Sequence, residues 1–317
     1  MQNISVLMST YNETEVFLRQ SIESILGQTY QNFEFIIILD NPENTEMERI
    51  ILEYAAKDGR IRFYKNEENM GLARSLNRAI DMASCNILAR MDADDIAEPE
   101  LLEKDLAYLE SNPQMHMVSV NSIGIDEEGK IRRSRRKNLP ANFEETKKKM
   151  SNGLVLHPGV MYYKEDLVSL GKYRPLPAAQ DYDLWLRYIT KGMEFGFLDE
   201  CLIRYRFSMN STSYSNGLKQ WICEKYIRAL YKERIKMGRD SFSEFTLQDK
   251  IEKAGCNDPK SRECFNMAKI IIHEGVADLR KHKYCSCFVK LLKAFFMHKE
   301  MPSYIFNALI VGIKRGI

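Results

Sequence analysis

The 317-residue chain lacks the features that mark several common protein classes. No apolar run reaches the roughly 20 residues of a membrane-spanning helix. The longest candidate, Tyr304–Ile313, contains Asn307. The seven cysteines form no C-x-x-C pair, which disfavours a zinc site and favours reduced thiols in the cytosol. With 46 Lys and Arg against 44 Asp and Glu, the net charge of +2 argues against a general nucleic-acid binder.

Two nucleotide-binding motifs and a leader segment are also missing. No G-x-G-x-x-G follows the first predicted strand, which disfavours a nicotinamide cofactor, and the chain has no P-loop. The chain opens on a strand-like segment rather than on a basic region followed by an apolar one, so no signal peptide is expected. We therefore expect an ordinary globular protein that acts in the cytoplasm.

The first 121 residues alternate short apolar runs with segments of helical periodicity. Strands are predicted at Ile4–Met8, Phe33–Leu39, Ile61–Tyr64, Asn86–Arg90 and Met117–Val120. Helices are predicted at Val16–Leu26, Met47–Ala56, Leu72–Ala83 and Leu101–Leu109. This alternation predicts an α/β fold with a mostly parallel central sheet flanked by helices. Ligands bind such sheets at the carboxyl ends of the strands, so chemistry is expected there.

The pattern changes after Asn121. We predict a hairpin turn at 124–129, a strand at Leu154–Tyr163, a helix at Tyr182–Ile189, strands at Phe195–Leu198 and Leu202–Phe207, and helices from Gly217 onward. Residues 218–317 hold 20 Lys and Arg against 11 Asp and Glu, a net charge of +9, whereas the first 217 residues carry −7. An acidic front and a basic rear predict two regions with different partners.

Acidic residues follow the predicted strand Asn86–Arg90. In an extended segment Asp92 and Asp94 point the same way and can aim two carboxylates at one spot. Carboxylate oxygens suit Mg²⁺ or Mn²⁺, and such an ion can neutralise a diphosphate. The alternative is that Asp95 caps the next helix and the other two acids are solvated.

Polar residues also follow the first two strands and begin a later helix. Thr10, Tyr11 and Asn12 end the first strand, and Asp40 ends the second. An acidic acceptor near an aromatic ring suits a nucleobase, whereas Asn12 as a helix cap and Asp40 as a turn residue are the structural alternatives. Asp181 is either a general base or the N-cap of its helix.

Five segments occur in a fixed order: Ile4–Asn12, Ser24–Tyr30, Asn69–Asn77, Ala89–Asp95 and Gln180–Trp185. Together they resemble the bacterial family-two glycosyltransferases with the GT-A fold, which build capsules and other surface polysaccharides. The resemblance covers about residues 1–210. It implies a GT-A catalytic domain over 1–215, with a nucleotide-sugar-binding half at 1–121 and an acceptor-side half at 122–215. A helical C-terminal region would occupy 216–317.

The resemblance implies an inverting hexosyltransferase (EC 2.4) that is metal-dependent. One sugar would pass from a nucleotide sugar, most often a UDP-sugar, to a hydroxyl of a glycan acceptor, often lipid-linked. The Gln-x-x-Arg-Trp motif of processive synthases is absent, which implies one sugar per encounter. Such an enzyme would work in the cytoplasm or as a peripheral protein at the inner face of the cell membrane.

The resemblance also implies roles for individual residues. The nucleotide would contact Thr10, Tyr11, Asn12, Asp40, Arg74 and Asp92, with Asp40 on the base. Asp92 and Asp94 match the Asp-x-Asp (DxD) pair that holds Mn²⁺ or Mg²⁺, and Asp181 matches the general base. His157, Trp185 and Arg204 lie where the acceptor is expected, with core packing as the alternative for Trp185 and a structural hydrogen bond for His157.

Two other functions remain open at the level of the residues. A sugar nucleotidyltransferase would also use an α/β sheet, acids and a metal, but its Gly-rich, Lys-containing opening motif is missing. A non-catalytic nucleotide-sugar-binding scaffold is favoured by Gln180, where the family often has Glu. The presence of Asp92, Asp94 and Asp181 argues against that scaffold.

Residues 284–297 predict an amphipathic helix in the basic rear region. Its apolar face comprises Tyr284, Phe288, Leu291, Leu292 and Phe295, and Lys283, Lys290 and Lys293 fall opposite. The helix either packs on the body of the protein with a solvated lysine face or attaches to an anionic membrane surface.

Overall fold

The chain forms two compact units, Met1–Ser208 and Met209–Ile317. The computed structural model describes residues 3–133, 139–150, 155, 157–207 and 216–314. Residues 208–215, where the predicted domain boundary falls, lie outside this part of the chain. The expected boundary at 215 and the division into halves at 121 therefore stay predictions.

The first unit is built on a nine-stranded mixed sheet. Its strands are β1 (Ile4–Thr10), β2 (Phe33–Leu39), β3 (Ile61–Lys65), β4 (Ile87–Asp92), β5 (Ile96–Ala97), β6 (Met115–Ile125), β7 (Ile131–Arg133), β8 (Val160–Tyr163) and β9 (Glu194–Arg206). They lie in the order β3-β2-β1-β4-β8-β6-β9-β5, with β7 beside β6. The first four of these are parallel, as the alternating pattern predicts.

Seven helices lie within the described residues of the first unit, and the first three connect its parallel strands. They are α1 (Glu15–Leu26), α2 (Thr45–Ala55), α3 (Leu72–Met82), α4 (Leu101–Ser111), α5 (Phe143–Lys149), α6 (Lys164–Ser169) and α7 (Gln180–Thr190). All seven residues of β2 are buried, which fits a strand covered on both faces. The Thr14 side chain caps α1 and the Asn44 side chain caps α2, each by accepting a backbone N–H of the first turn.

Several predicted boundaries in the second half of this unit are wrong. Within Leu154–Tyr163 the described strand is only Val160–Tyr163. It follows Gly159, whose φ of 72° and contact with Ile203 exclude a side chain. The two strands predicted within 195–207 are one strand, β9, because register shifts against β6 absorb its irregularity. The hairpin turn begins at Asp126, since β6 extends through Ile125.

The second unit is helical, as expected. Its described helices are α8 (Gly217–Met237), α9 (Glu244–Ala254), α10 (Pro259–Arg280), α11 (Tyr284–Phe295) and α12 (Met301–Lys314). Asp258 caps α10 ahead of Pro259, and Gly255 ends α9 with a φ of 82°. Among the described residues, no helix combines the length and the hydropathy that crossing a bilayer requires.

Candidate functional site

The carboxyl ends of β1, β2 and β4 meet at one edge of the sheet. Thr10 pairs with Leu39 in β2, and Ser9 pairs with Asp92 in β4. The Asp40 N–H donates to the Thr10 carbonyl at 2.8 Å. The polar residues that follow these three strands are therefore neighbours, which is the position where parallel sheets bind ligands.

Three carboxylates meet directly after β4. One oxygen from each of Asp92, Asp94 and Asp95 lies within 4.8 Å of the others, and we call these residues the acidic cluster. Asp95 does not cap the next helix, because α4 begins six residues later with Glu100 at its N-cap. The DxD spacing predicts the first two members, and the structure adds the third.

The negative charge of the acidic cluster is poorly compensated. Burial and the charges of Asp92 and Glu13 raise the pKa of Asp94 to about 7. Burial, followed by Asp94 and Asp92, raises the pKa of Asp95 well above its usual range. Asp95 Oδ1 accepts the Arg206 N–H at 2.7 Å, but its buried Oδ2 has no hydrogen-bond partner among the described residues. An all-oxygen site with an unpaired buried acceptor fits Mg²⁺ or Mn²⁺.

A buried arginine next to the acidic cluster is not among the site residues predicted from the sequence. Arg90 is 2% exposed and forms an ion pair with Asp92. Its Nε and Nη1 are buried and have no hydrogen-bond partner within the part of the chain that the structure describes. Its charge also acts on Asp181 and His157. The signal was available, because Arg90 and Asp92 are two residues apart in a strand and therefore share one face.

A fourth acid, Glu13, also escaped the sequence reasoning. Its carboxylate accepts hydrogen bonds from the Thr10 hydroxyl and from the Tyr11 N–H, the latter at 2.8 Å. Burial, with a contribution from Asp92, raises its pKa. Its position directly after the Thr10–Asn12 segment was the available signal. Glu13 therefore links the end of β1 to the electrostatics of the acidic cluster.

Arg206, at the end of β9, links the backbone of the acidic cluster to α1. Its Nε donates to the Asp94 carbonyl at 2.8 Å, and its Nη2 donates to Gln20 Oε1 in α1 at 2.7 Å. Its Nη1 donates to the Asp126 carbonyl at 3.1 Å, and its guanidinium lies 4.1 Å from the Phe17 ring centroid. No local pattern predicts this role, because the partners are distant in sequence.

Asp181 lies in the first turn of α7 and is partly buried. It is not the N-cap, since that position is Ala179 and no side chain caps this helix. Burial raises the pKa of Asp181, and the charge of Asp92 adds to this effect while Arg90 opposes it. Asp181 is thus electrostatically linked to the acidic cluster, and a carboxylate with a raised pKa suits a proton acceptor.

Asp40 organises the loop before α3. Its oxygens accept Asn66 Nδ2 at 2.6 Å, the Met70 N–H at 2.8 Å and the Gly71 N–H at 2.8 Å. Asp40 is buried, so these bonds fix the backbone beside the sheet edge. Arg74 is exposed in the first turn of α3, where the helix dipole also favours a negatively charged ligand.

The three residues that end β1 differ in exposure. Thr10 is buried, whereas Tyr11 is 42% exposed and its ring is accessible for stacking. Asn12 does not cap α1, since Thr14 does. Its Oδ1 instead accepts Asn41 Nδ2 at 2.7 Å and Asn44 Nδ2 at 3.0 Å. The first two strand ends are thereby tied together.

Two of the acceptor candidates share a buried aromatic cluster. His157 Nε2 is 3.0 Å from the Tyr173 hydroxyl, which is 3.1 Å from that of Tyr162. The Trp185 and His157 ring centroids are 6.3 Å apart. Burial, with help from Arg90, holds the pKa of His157 well below its usual range. Trp185 is 1% exposed, so its surroundings are those of a core residue.

Arg204, the third acceptor candidate, lies apart from that aromatic cluster. It pairs with Ile96 of β5, and its Nε donates to Glu98 at 2.6 Å. It borders an open cavity of about 390 Å³ that also touches Gln20 and Glu23 of α1. Neither His157 nor Trp185 lines this cavity. The structure therefore does not bring the three candidates together.

The fold and the acidic cluster define an α/β protein with a candidate metal site at the carboxyl edge of its sheet, and comparisons with known proteins give its family. Residues 5–170 match Glycosyl transferase family 2. An uncharacterised glycosyltransferase of Methanocaldococcus jannaschii is 41% identical over 218 residues, covering 68% of this chain and 74% of the relative. The amylovoran biosynthesis glycosyltransferase AmsE of Erwinia amylovora is 30% identical, covering 77% and 90%. The UDP-Gal:alpha-D-GlcNAc-diphosphoundecaprenol beta-1,3-galactosyltransferase of Escherichia coli is 27% identical, covering 72% and 82%.

Solved structures support the fold. The crystal structure of S. aureus TarS 1–349 in complex with UDP-GlcNAc superposes with a TM-score of 0.61 at 15% identity, covering 85% of this chain and 80% of that one. Our chain spans 49% of the longer S. aureus TarS chain. At this identity the likeness establishes the GT-A fold alone.

The chain belongs to glycosyl transferase family 2 and is a glycosyltransferase. This membership confirms the family expected from the five segments. It also argues against the two alternative functions, the sugar nucleotidyltransferase and the non-catalytic scaffold. The α/β fold with a helical C-terminal region is confirmed as well.

Proposed function

We propose that this glycosyltransferase is inverting and metal-dependent. One sugar passes from a UDP-sugar to a hydroxyl of a lipid-linked glycan during synthesis of a bacterial surface polysaccharide. The acidic cluster at the carboxyl ends of the parallel strands carries this proposal. Its three carboxylates share one small volume where Arg90 offsets only part of their charge, which suits a divalent cation beside a diphosphate.

The donor nucleotide occupies the edge formed by β1, β2 and β4. Tyr11 offers its exposed ring to the base, and Thr10, Asn12 and Asp40 shape the pocket around the nucleoside. Asp92 contacts the ribose or the metal. Mn²⁺ or Mg²⁺ held by Asp92 and Asp94 would supply neutralisation of the diphosphate charge.

Asp181 acts as the general base. It accepts the proton of the acceptor hydroxyl while that oxygen attacks the anomeric carbon from the face opposite the diphosphate. The bond from the anomeric carbon to the diphosphate oxygen breaks, and its electron pair leaves with UDP. One catalytic carboxylate suffices, because the diphosphate leaves without being protonated. Arg74 stabilises the charge that develops on it.

The names of similar proteins support the choice of donor and acceptor. TarS was crystallised with UDP-GlcNAc, and the Escherichia coli relative is named for a UDP-Gal donor and a diphosphoundecaprenol-linked acceptor. AmsE is named for amylovoran biosynthesis. A lipid-linked acceptor places the reaction at the inner face of the cell membrane, so the enzyme would bind there as a peripheral protein. His157, Trp185 and Arg204 stay candidates for the acceptor side.

Calorimetric titration with UDP tests the donor site without knowledge of the acceptor. UDP should bind in Mn²⁺ and bind much more weakly in EDTA, and Asp94→Ala should remove the Mn²⁺ dependence. Asp249→Ala is the matched control, because Asp249 is a surface carboxylate paired with Lys253 in α9. Equal UDP affinity in Mn²⁺ and EDTA would contradict metal dependence. Tighter binding of GDP than of UDP would contradict the donor class.

A further inference from the structure

One side of α11 exposes large apolar side chains. Phe288 is 67% exposed and Leu292 49%. With their exposed neighbours they form the α11 apolar face, which consists of Tyr284, Phe288, Val289, Leu292, Phe295 and Phe296. At 100° per residue these side chains span about 140° of the helix surface. A contiguous patch of this kind marks an interaction site rather than ordinary surface.

The opposite side of α11 packs on α10 through small and polar side chains. Cys287 and Ala294 are its buried residues. Lys290 Nζ lies 2.8 Å from Asp278 Oδ2, and the Ser286 hydroxyl donates to the same oxygen at 2.6 Å. Packing of the predicted apolar face on the body is therefore wrong for Tyr284, Phe288, Leu292 and Phe295, which are exposed. The lysine side is exposed at Lys283 and Lys293 as that alternative expects, whereas Lys290 is half-buried against Asp278. This orientation is the reverse of an ordinary surface helix.

The charges around the α11 apolar face are positive. No Asp or Glu occurs between Tyr284 and Lys299, and Lys281, Lys293 and Lys299 are exposed. At 100° per residue Lys293 lies about 40° beyond Val289, at the border of the face as defined here, whereas Lys283 falls opposite it. Exposed aromatic rings bordered by lysines suit the interface of an anionic bilayer, where the rings enter the headgroup boundary and the ammonium groups meet lipid phosphates. An apolar groove on a protein partner would leave these lysines without partners, whereas anionic headgroups pair with them.

We propose that the α11 apolar face is the membrane-docking surface of this chain. It lies flat on an anionic lipid bilayer, with Phe288 and Leu292 inserted and the flanking lysines on the headgroups. Its purpose rests on the proposed lipid-linked acceptor, but the docking itself requires neither donor nor acceptor. Docking would hold the enzyme where its acceptor diffuses in two dimensions.

Vesicle co-sedimentation of the full chain tests this proposal. The protein should bind phosphatidylcholine vesicles that contain phosphatidylglycerol, bind pure phosphatidylcholine vesicles less, and release as salt rises. The double variant Phe288→Glu with Leu292→Glu should lose at least about tenfold in partitioning. Phe245→Glu should bind as the wild type does, because Phe245 is 84% exposed on α9, outside the α11 apolar face. Replacing Lys281 and Lys293 with Gln should remove the preference for phosphatidylglycerol.

Three results would overturn the docking surface. These are no vesicle binding by the wild type, undiminished binding by the Phe288 and Leu292 double variant, or an equal loss in Phe245→Glu. Light scattering tests a second copy of the chain as the occupant. If the wild type is a dimer, the double variant is a monomer and neither binds vesicles, a second copy covers the α11 apolar face instead of a bilayer. UDP titration of the same proteins separates the proposals. Normal UDP binding by the double variant would show that the donor site does not depend on the docking surface. Absence of UDP binding by the wild type would contradict the donor site but not the docking surface.

Discussion

Replacing Asp94 with Asn should stabilise the metal-free protein. The pKa of Asp94 lies at about 7 instead of 3.8, so ionising this carboxyl in the folded state costs up to about 4 kcal/mol relative to the unfolded chain. Burial creates the largest part of that cost, the neighbouring acids Asp92 and Glu13 add to it, and the Asn side chain is still buried in the variant. We therefore expect Asp94→Asn to recover about 1–2 kcal/mol of unfolding free energy at pH 8.

The pH dependence has a definite sign. A carboxyl with a raised pKa in the folded state binds more protons folded than unfolded between about pH 4 and pH 7. The wild type should therefore lose stability as pH rises through that window, and the loss is complete above it. The advantage of Asp94→Asn should be present at pH 8 and nearly vanish at pH 4, where both side chains are neutral.

Thermal unfolding in EDTA measures this effect. A gain of about 1–2 kcal/mol in a unit of this size raises Tm by about 2–8 °C. Adding Mn²⁺ should then raise Tm of the wild type, since the proposed metal site exists only in the folded protein, and should leave Asp94→Asn nearly unchanged. Without metal, Asp94→Asn should therefore be more stable than the wild type, and Mn²⁺ should raise its Tm by less.

Asp105→Asn is the matched control for this prediction. Asp105 is buried in α4, and burial raises its pKa well above the usual range. No described residue forms a hydrogen bond with its Oδ1. It lies outside the acidic cluster. This control should also gain stability at pH 8 but keep the full Mn²⁺ response. Our reasoning would be refuted if Asp94→Asn lowered Tm in EDTA at pH 8, or if Mn²⁺ stabilised it as much as the wild type.

Three further substitutions test the rest of the site. Asp181→Asn should slow sugar transfer about 10²–10⁴-fold while UDP affinity by calorimetry stays unchanged. In the wild type, the acidic limb of the rate profile should lie above pH 3.8, because burial raises the pKa of Asp181. Asp40→Ala should cost about 1–3 kcal/mol in urea unfolding, since the Met70 N–H loses its acceptor and the Gly71 N–H keeps only its longer bond to Asn69 Oδ1. Arg206→Lys should weaken Mn²⁺ binding about 10–100-fold, measured by calorimetry, because Lys cannot bridge the Asp94 carbonyl and α1.

Each of these outcomes has a clear opposite. Undiminished transfer by Asp181→Asn would remove its role as base, and a loss of UDP affinity would make it a donor-binding residue. An unchanged urea midpoint in Asp40→Ala would show that its three hydrogen bonds carry no net stability. Asp249→Asn is the surface control in each assay. Arg206→Lys with wild-type Mn²⁺ affinity would show that the acidic cluster needs no support from β9.

The sequence predicts the parallel half of the fold well because the signals there are local. The β2 segment is apolar at every position except Glu34, which predicts a strand buried on both faces, and the DxD spacing puts two carboxylates on one side of the chain. The chain after Asn121 is harder to predict. There β8 and β6 pair antiparallel and β9 tolerates register shifts, so partners from distant segments decide where a strand starts.

The contacts that Arg206 makes with the acidic cluster show the same limit of local sequence patterns. Arg206 touches Asp94 and Gln20, which lie more than one hundred residues before it, so no window of sequence contains the interaction. Arg90 is different, since it stands two residues from Asp92 and its position was readable. Charged side chains in a strand predicted to be buried are costly unless paired, which makes such an arginine a signal for a nearby acidic site.

Helix α11 shows what periodicity leaves undecided. A pattern of 3.6 residues per turn establishes that a helix has an apolar face, but burial of that face is only the usual outcome. Here Cys287 and Ala294 let α10 approach closely, and Lys290 gains Asp278 as a partner, so the polar side packs. The free energy of burying the aromatic side is then not realised within the described chain. It remains available for a surface that covers this face, and the surrounding lysines select an anionic one.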